Sequence, residues 1–355
     1  ASPLRDVYKR QTTNEPYPEL KSELANPFAA IYDIKANSKV TDKPVGTGPY
    51  QIDKYQRSQK IELSKFKDYW QGTPQLNKIN VTYHEDGNTR VDNLLSSKSD
   101  LTTDVPIDRI NDVKQSKKAD IQSTSGFRTH LLLYNHESNK MNKNVREALD
   151  MIINRKEIAQ NVSKNYAKPA AGPFNHRLKS LEKEQVQPQN IDKAKKLLAK
   201  ECYTQSNPLK LKMSTYNGRP ELPKIGQVIQ SEAKKANIDI QLHNVDDIDG
   251  YLKDTKAWDI SMYSYLSIPR GDTGYFFNTA YLSDGALNKG HYNNKDVTQL
   301  IKKLNTTFGD KQRATVTNEI LDQSKQDIPN SYITYNHQID GVSNKVKHFK
   351  VTPES

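Results

Sequence analysis

The chain has 355 residues, of which 34% are hydrophobic and 27% are charged, and its formal net charge is +11. That length allows two or three domains with a buried core, and the 19 tyrosines, 8 phenylalanines and 2 tryptophans argue against disorder. The basic charge is interleaved with acidic residues and lacks nucleic-acid-binding motifs, so we expect no nucleic-acid partner.

The chain also carries few covalent or membrane signals. Cys202 is its single cysteine, which excludes an internal disulfide, and its place beside Tyr203 at a predicted helix end indicates a packed thiol. No stretch approaches the ~18 apolar residues of a membrane-spanning helix. Residues 1–11, ASPLRDVYKRQ, differ in character from the rest of the chain, and we expect them to be a foreign leader outside the fold.

Periodicity in the first part of the chain predicts mostly strands. We predict a strand-like section at 46–52, strands at 60–66 and 78–84, a helix at 88–97, and a strand at 126–135. The alternation in the last strand places Phe127, Thr129, Leu131 and Leu133 on one face and Arg128, His130, Leu132 and Tyr134 on the other. One face therefore suits a core, while the other carries polar groups.

The second part alternates helices and strands. We predict a strong amphipathic helix at 144–162 with Asn144 and Glu147 as a cap pair, and a second helix capped by Asn190. We then predict a strand at 209–216, a helix after Pro223, a strand at 238–242, a short helix near 247–256, a strand at 258–266, helices near 294–306 and 310–327, and a closing strand at 331–336. This βαβαβ order indicates an open α/β sheet with crossover helices.

Motifs of catalysis are missing from the sequence. It contains no G-x-S-x-G, Walker A, H-E-x-x-H or G-x-G-x-x-G pattern. An unrecognised enzyme would need a pair of cleft carboxylates with raised pKa values, and no spacing indicates one. We therefore expect a binding protein and not an enzyme.

Three polar residues are candidates for ligand contacts. Arg128 interrupts an apolar strand, and a buried guanidinium needs an anionic partner, either an internal acid or a ligand carboxylate. Arg270 follows a strand's carboxyl end, where open α/β sheets bind ligands. His291, in a Gly- and Asn-rich loop, could complete the shell of a metal that arrives already chelated.

The same region contains the triplet Arg270-Gly271-Asp272, which raises a different possibility. A cell-surface adhesion protein would need this triplet at an exposed loop tip, with both charged side chains free. Because such triplets arise easily by chance, we treat adhesion as a minor alternative.

Several segments, in order, resemble the extracellular solute-binding proteins of ABC importers in the peptide/nickel class, family 5. They are VGTGPYQI (45–52), FKDYWQGTPQLNKI (66–79), TRVDNLLSSKSDL (89–101), VREALDMIINRKEI (145–158), NIDKAKKLLAK (190–200), WDISMYSY (258–265) and IPNSYITYN (328–336). IPRGDTGYFFN (268–278) followed by GALNKGHYNN (285–294) is most similar to the staphylococcal-type nickel-binding members.

The resemblance implies a two-lobed, periplasmic-binding-protein-like α/β fold of type II. Lobe I would comprise residues 12–105 and 325–355, and lobe II residues 106–324. Family members carry a lipoprotein signal and a long section before GTGPY, so we expect an N-terminally truncated chain with an incomplete first lobe. We then expect a cell-surface lipoprotein of a Gram-positive bacterium, whose signal and lipid-attachment cysteine are missing here.

The resemblance also implies a function in transport. The protein would capture a nickel chelate such as nickel–histidine outside the membrane and deliver it to the transmembrane permease subunits. It would be a monomer without a cofactor, since nickel is chelated cargo. Arg128 and Arg270 would hold chelator carboxylates, Tyr263, Tyr265 and Tyr275 would wall the pocket, and His291 would be a metal ligand. The alternative is an oligopeptide carrier of the same fold, in which Asp272 holds the peptide amino terminus.

Overall fold

The computed structural model describes residues 12–33, 44–175, 177–178, 181, 185–269 and 271–353, and it divides the chain into two compact units. Unit 1 consists of Thr129–Ile158, Pro169–Thr334 and the described part of Ala1–Ser22. Unit 2 consists of the described residues of Glu23–Arg128, Ala159–Lys168 and Tyr335–Ser355. The lobe limits expected from the resemblance stay a prediction, and the predicted leader, 1–11, lies outside the described residues.

The helices and strands follow one another through both units. The first are α1 (Leu20–Leu24), β1 (Tyr50–Gln56), β2 (Lys60–Lys65), β3 (Lys78–Thr82), α2 (Gly87–Leu95), β4 (Leu101–Thr102), α3 (Ile110–Gln115), β5 (Ala119–Tyr134), α4 (Lys143–Ile152), α5 (Arg155–Glu157) and β6 (Ala167–Pro169). The rest are α6 (Ile191–Lys200), β7 (Leu209–Tyr216), α7 (Glu221–Lys235), β8 (Ile238–Val245), α8 (Ile248–Tyr251), β9 (Ile260–Leu266), α9 (Gly274–Ala280), α10 (Lys295–Thr306), α11 (Asp310–Lys325) and β10 (Asn330–Ser343). No helix in these described ranges is both long enough and apolar enough to cross a membrane.

Unit 2 contains an antiparallel sheet in the order β1-β2-β3, which confirms the strands predicted at 60–66 and 78–84. The alternation in KINVTYH (78–84), which puts Ile79, Val81 and Tyr83 on one face, predicts a half-buried strand, but this expectation is wrong because Val81 of β3 and Tyr83 just beyond it are 48% and 60% exposed. The core of this unit lies elsewhere, where Val91 and Leu94 of α2 pack with Val113 of α3.

Unit 1 is built on an open sheet in which β9, β7 and β8 are neighbours and β5 flanks β9. β7 is parallel to both β8 and β9, and α7 is the crossover between β7 and β8. The α/β sheet predicted from the βαβαβ order is therefore confirmed. Trp258, which is 1% exposed, anchors the start of β9 and donates from Nε1 to the Leu252 carbonyl at 3.2 Å.

The long helix predicted at 144–162 is two helices and a π-helical turn. α4 ends before Ile153, and Asn154 caps α5 by accepting the Glu157 amide. The predicted cap pair at Asn144 is wrong, because Asn142 accepts the Val145 amide at 3.0 Å instead.

Other local predictions divide between confirmation and correction. Asn190 caps α6 as predicted, accepting the Lys193 amide at 2.9 Å. Cys202 is exposed after the end of α6, so the expectation of a packed thiol is wrong. The helix α9, which begins within the IPRGDTGYFFN segment (268–278), was not predicted.

Candidate functional site

The carboxyl ends of β7 and β9 meet at one edge of the sheet in unit 1, because the two strands are parallel. We call this edge of the sheet the carboxyl edge. It is formed by the strand ends Tyr216 and Leu266, with Thr129 and Ser267 beside them. The Thr129 and Ser267 hydroxyls lie 3.3 Å apart, and Thr129 also donates to the Pro173 carbonyl at 3.1 Å. Ligands of open α/β sheets bind outside such an edge.

Two of the predicted pocket tyrosines, Tyr263 and Tyr265, project from β9 into the protein interior. They are 6% and 2% exposed, and their ring centroids lie 5.2 Å apart. Tyr263 donates its hydroxyl to Asp249 at 2.6 Å, and Tyr265 donates to the Leu287 carbonyl at 2.5 Å. Burial raises the pKa of both phenols well above the ordinary value, so both remain neutral hydrogen-bond donors.

These tyrosines belong to a larger aromatic cluster within unit 1. Its rings contact one another at centroid distances between 5.2 and 6.3 Å, and they belong to Phe174, Tyr216, Tyr263, Tyr265, Phe276, Phe277, Tyr281 and Tyr292. Tyr216, at the end of β7, is only half-buried, and Tyr275, the third predicted tyrosine, is also half-buried. The cluster therefore presents Tyr216 at the carboxyl edge, a residue that the sequence did not single out.

The acidic end of the Arg-Gly-Asp triplet is well defined, whereas Arg270 lies outside the described residues. Asp272 accepts from Arg313 Nε at 3.0 Å and Nη2 at 2.6 Å, and it also accepts the Gly274 amide at 2.7 Å. Because the Asp272 carboxylate is engaged, the structure contradicts the adhesion hypothesis, which required it free.

Arg313 joins Asp272 to the N-terminal segment through a second carboxylate. Its Nη2 donates to Glu19 Oε1 at 2.9 Å, and the Arg313 side chain is only 9% exposed. Gly274 lies against the Glu19 carboxylate, so a Cβ at that position would force the Glu19 side chain to shift. Burial and the charge of Asp272 raise the pKa of Glu19 above its usual value, despite the opposing effect of Arg313.

His291 lies at the opposite end of the sheet from the carboxyl edge. Its neighbour Gly290 accepts the His136 amide at 2.8 Å, just past the end of β5, and Thr129 and His136 are about 23 Å apart along an extended strand. The His291 side chain is 41% exposed, with Nδ1 3.7 Å from Glu137 Oε1. The structure therefore does not bring His291 to the carboxyl edge.

Arg128 is the remaining predicted ligand residue, and the metal-ligating side chains are considered with it. Arg128 is half-buried in the part of β5 that belongs to unit 2. Across the part of the chain that the structure describes, no group of three or more His, Cys, Asp or Glu side chains is arranged to hold a metal ion. A metal bound here by side chains alone is therefore not indicated among those residues.

Sequence reasoning missed a buried hydrogen-bonded pair of a histidine and a glutamate near the carboxyl edge. His130, which is fully buried, contacts Ser264 Oγ through Nδ1 at 3.0 Å and Glu221 Oε1 through Nε2 at 2.8 Å. Burial works to raise the pKa of Glu221, but the hydrogen bond and charge of His130 outweigh it and lower that pKa to about 2. The strand alternation signalled a polar face at His130, but nothing local signalled a partner 91 residues away.

Unit 1 also contains a cavity of about 300 Å³ at the start of β10. Its lining includes Tyr281, Tyr332, Lys325 and the ion pair of Asp150 with Arg155. The two tyrosine hydroxyls lie 2.7 Å apart, and Arg155 donates to Tyr332 and Asp150. These four residues thus bond to one another, and none of the lining residues was a predicted ligand residue.

Comparisons with known proteins agree on one family. The family model for bacterial extracellular solute-binding proteins, family 5 (middle), matches residues 7–288. The nickel-binding protein NikA of Staphylococcus aureus (strain NCTC 8325 / PS 47) is 58% identical over 342 residues, covering 96% of this chain and 70% of that protein.

Solved structures support the same relationship. A crystal structure of NikA from Staphylococcus aureus in complex with Ni(L-His)2 has a TM-score of 0.83 and 58% identity, covering 96% of this chain and 74% of that one. The nickel ABC transporter from Bacillus halodurans has a TM-score of 0.79 and 31% identity, with the same coverages of 96% and 74%. The predicted fold class, periplasmic-binding-protein-like α/β, is confirmed, and the chain belongs to the bacterial extracellular solute-binding proteins of family 5.

Proposed function

We propose that this protein is the substrate-binding component of an ABC importer and that its cargo is a nickel chelate such as nickel–histidine. The observation that carries the proposal is the 58% identity to a nickel-binding protein over 96% of the chain. The relative of known structure with the same identity holds Ni(L-His)2. Nickel is then cargo, and the protein makes or breaks no bond.

The alternative cargo is an oligopeptide. The dipeptide-binding protein DppE of Bacillus subtilis is 25% identical over 318 residues, so peptide carriers share this family. That identity is less than half of the identity to the nickel-binding relative. Asp272, the residue proposed to hold a peptide amino group, is also engaged by Arg313.

The proposal gives the polar residues definite roles. Arg128 and Arg270 hold carboxylates of the chelator, since a guanidinium grips a carboxylate bidentately. Tyr275 contributes to the pocket wall, and Tyr263 and Tyr265 support that wall from beneath. His291 is a candidate metal ligand, and because it lies at the opposite end of the sheet from the carboxyl edge, this role requires that the metal bind at that other end.

The same proposal includes the location of the carrier and the transfer of its cargo to the permease. The protein is anchored as a lipoprotein to the membrane of a Gram-positive bacterium and works as a monomer. The transmembrane permease subunits receive the loaded form. Only a ligand that prefers one conformation of the carrier can shift its equilibrium, so loading itself signals the permease.

Isothermal titration calorimetry tests the cargo. The protein is titrated with Ni²⁺ alone, with L-histidine alone, and with Ni²⁺ and L-histidine at a ratio of one to two. We expect strong binding of the mixture and weak or no binding of either component. Failure of the mixture to bind, or equal binding of bare Ni²⁺, would overturn the chelate proposal, and native mass spectrometry showing bound peptide without nickel would favour the peptide carrier.

Matched variants test the residue roles. R270Q is expected to weaken chelate binding about tenfold, the effect of losing a bidentate pair of charge-assisted hydrogen bonds. R57Q removes an exposed arginine of unit 2 and is the control for the loss of one positive charge. Equal affinities of the two variants would remove Arg270 from the site, and retention of nickel binding by H291A would remove His291.

A further inference from the structure

The cavity at the start of β10 is lined by more cations than acids. Its described lining includes six charged side chains, which are Lys143, Glu147, Asp150, Arg155, Lys193 and Lys325. All six belong to unit 1, so the cavity lies within that unit. Four of these side chains are positive and two are negative, and the proposed cargo leaves this excess of positive charge without a role.

The inner end of the cavity is a fixed polar network. Arg155 is only 4% exposed, and it donates to the Asp150 carboxylate and, at 2.6 Å, to the Tyr332 carbonyl. The hydroxyls of Tyr281 and Tyr332 lie 2.7 Å apart, and burial raises the pKa of Tyr332 well above its ordinary value, so this phenol stays neutral. The Arg155 guanidinium is therefore already committed and cannot also grip a planar carboxylate bidentately.

Three lysines surround the outer part of the cavity. Lys143 begins α4, Lys193 lies in α6, and Lys325 ends α11. Lys193 Nζ lies 3.6 Å from Glu147 Oε1, which is longer than a hydrogen bond. Within the part of the chain that the structure describes, the side chains of Lys143 and Lys325 have neither a hydrogen bond nor an ion pair. These two exposed ammonium groups thus carry the unbalanced charge of the cavity.

Solvation of a helix face is the ordinary explanation for exposed lysines, but it fits this arrangement poorly. Lysines that solvate one helix recur along that helix, as Lys195, Lys196 and Lys200 do on α6. The three lysines of the cavity instead come from three helices and line one concave surface. Gathering like charges in a concavity is unfavourable unless an anion balances them.

One wall of the cavity is a strained turn between α11 and β10. Ile328 has a φ of 51°, a left-handed conformation that β-branched residues rarely adopt, and Pro329 follows it. Arg146 holds this turn by donating to the Asp327 carbonyl at 2.7 Å and to the Ile328 carbonyl at 3.2 Å. Such strain persists only where the surrounding structure enforces it. Because the turn begins directly after Lys325, the same contacts fix the backbone of that lysine.

We propose that this cavity is a second binding site, which takes a small molecule that carries a phosphate group. Lysine acts on phosphate as a point charge and needs no planar acceptor, and one phosphate dianion balances both Lys143 and Lys325. The cavity volume of about 300 Å³ is at the lower limit of small-ligand pockets, so the ligand is small. This site goes beyond the proposed function and does not depend on which cargo the carrier takes.

Isothermal titration calorimetry of the full chain with inorganic phosphate, pyrophosphate and citrate tests the site in nickel-free buffer. We expect saturable one-to-one binding of phosphate with a dissociation constant of at most about 1 mM at low ionic strength. Pyrophosphate is expected to bind about threefold more tightly, because its two adjacent groups reach both lysines. Citrate carries only carboxylates and is expected to bind more weakly than phosphate.

Single and double substitutions identify the lysines. K143Q and K325Q remove exposed charges that bond to nothing in the described structure, so both variants are expected to keep the melting temperature of the original protein. Each should weaken phosphate binding by about threefold, and K143Q/K325Q by about tenfold. K302Q is the matched control, because Lys302 is an exposed lysine of α10 that lies outside the described lining.

The outcomes separate this site from the cargo site. K143Q/K325Q is expected to bind the mixture of Ni²⁺ and L-histidine as the original protein does, so failure of the proposed cargo leaves the phosphate site standing. Absent or unsaturable phosphate binding overturns the site, and so does an equal loss in K302Q and K325Q, which indicates an effect of net charge alone. Citrate that binds as tightly as phosphate overturns the choice of phosphate as the ligand class.

Discussion

Replacing Asp272 by asparagine distinguishes a structural from a ligand-binding role for the acidic residue of the triplet. In the structure Asp272 accepts two hydrogen bonds from Arg313 and one from the Gly274 amide. The Asp272 and Arg313 side chains are 20% and 9% exposed, so solvent screens their interaction only in part. We expect D272N to lower the free energy of unfolding and to leave cargo affinity unchanged.

The size of the effect depends on the partners that Arg313 retains. Removing one partner of a buried ion pair costs about 3–5 kcal/mol when the other charge is left alone. Here Arg313 keeps Glu19 and two backbone carbonyls, of Leu304 and Thr307, and asparagine keeps one accepting oxygen. We therefore expect a loss of about 2 kcal/mol, which lowers the melting temperature by roughly 4–8 °C for a unit of this size.

The assay is thermal and urea unfolding combined with calorimetric titration of the nickel–histidine mixture. E319Q is the control, because Glu319 pairs on the surface of α11 with Lys303 at 2.7 Å and both side chains are at least 40% exposed. Such surface pairs contribute about 0–1 kcal/mol. If D272N is as stable as E319Q but binds cargo poorly, our reasoning is refuted. That result would favour a peptide carrier in which Asp272 contacts the peptide amino terminus.

Three other predictions concern stability. The pKa of Glu221 is about 2 in the folded protein, against an ordinary value of 4.5, so its ionised carboxylate stabilises the fold above pH 4.5 and this stabilisation is lost as the pH falls toward 2. In urea unfolding, the difference in stability between the original protein and E221Q should therefore shrink by about 3 kcal/mol between pH 5 and pH 2. Burial lowers the pKa of His136 from 6.5 to about 4 despite its hydrogen bond to the Pro329 carbonyl, so the neutral ring stabilises the fold fully above pH 6.5. The free energy of unfolding should fall by up to about 3 kcal/mol between pH 6.5 and pH 4, and H136Q should lack this contribution. The same pH dependence in both proteins would contradict the prediction. L149A removes a fully buried side chain of α4 and should lower the free energy of chemical unfolding by about 3 kcal/mol. F308A, at a residue that is 60% exposed, should change it by less than about 0.5 kcal/mol. Similar losses in the two variants would refute this assignment of the core.

Elements that depend on nearby residues could be predicted from the sequence. The strands β2 and β7 and the cap at Asn190 are decided within a few residues, and the structure confirms them. The cap of α4 was misplaced by two residues because Asn142 and Asn144 have the same cap chemistry. Glu201, more than 50 residues away in the sequence, accepts from both side-chain amides, but only Asn142 accepts a backbone amide of the first turn.

The candidate site was harder to predict because its interactions are non-local. Strand alternation placed Tyr263 and Tyr265 on one face but could not show that this face is covered. The covering residues include Phe276 of α9, whose ring centroid lies 5.8 Å from that of Tyr265. Because α9 was not predicted, the sequence did not show that Tyr263 and Tyr265, which the resemblance assigns to the pocket wall, are covered in this way. The pairing of His130 with Glu221 was likewise invisible, because neither residue carries a local signal for the other.

The arrangement of charges bears on the choice between the two proposed cargoes. A peptide amino terminus needs an acidic group, but Asp272 already has Arg313 and the Gly274 amide as partners. An incoming ammonium would have to displace a guanidinium from a carboxylate, an exchange that gains little because one charge-assisted hydrogen bond replaces another. A metal–histidine chelate presents carboxylates and needs no free acidic group, so it would leave the partners of Asp272 in place. The engagement of Asp272 by Arg313 is thus easier to reconcile with an anion-bearing chelate than with a peptide amino terminus.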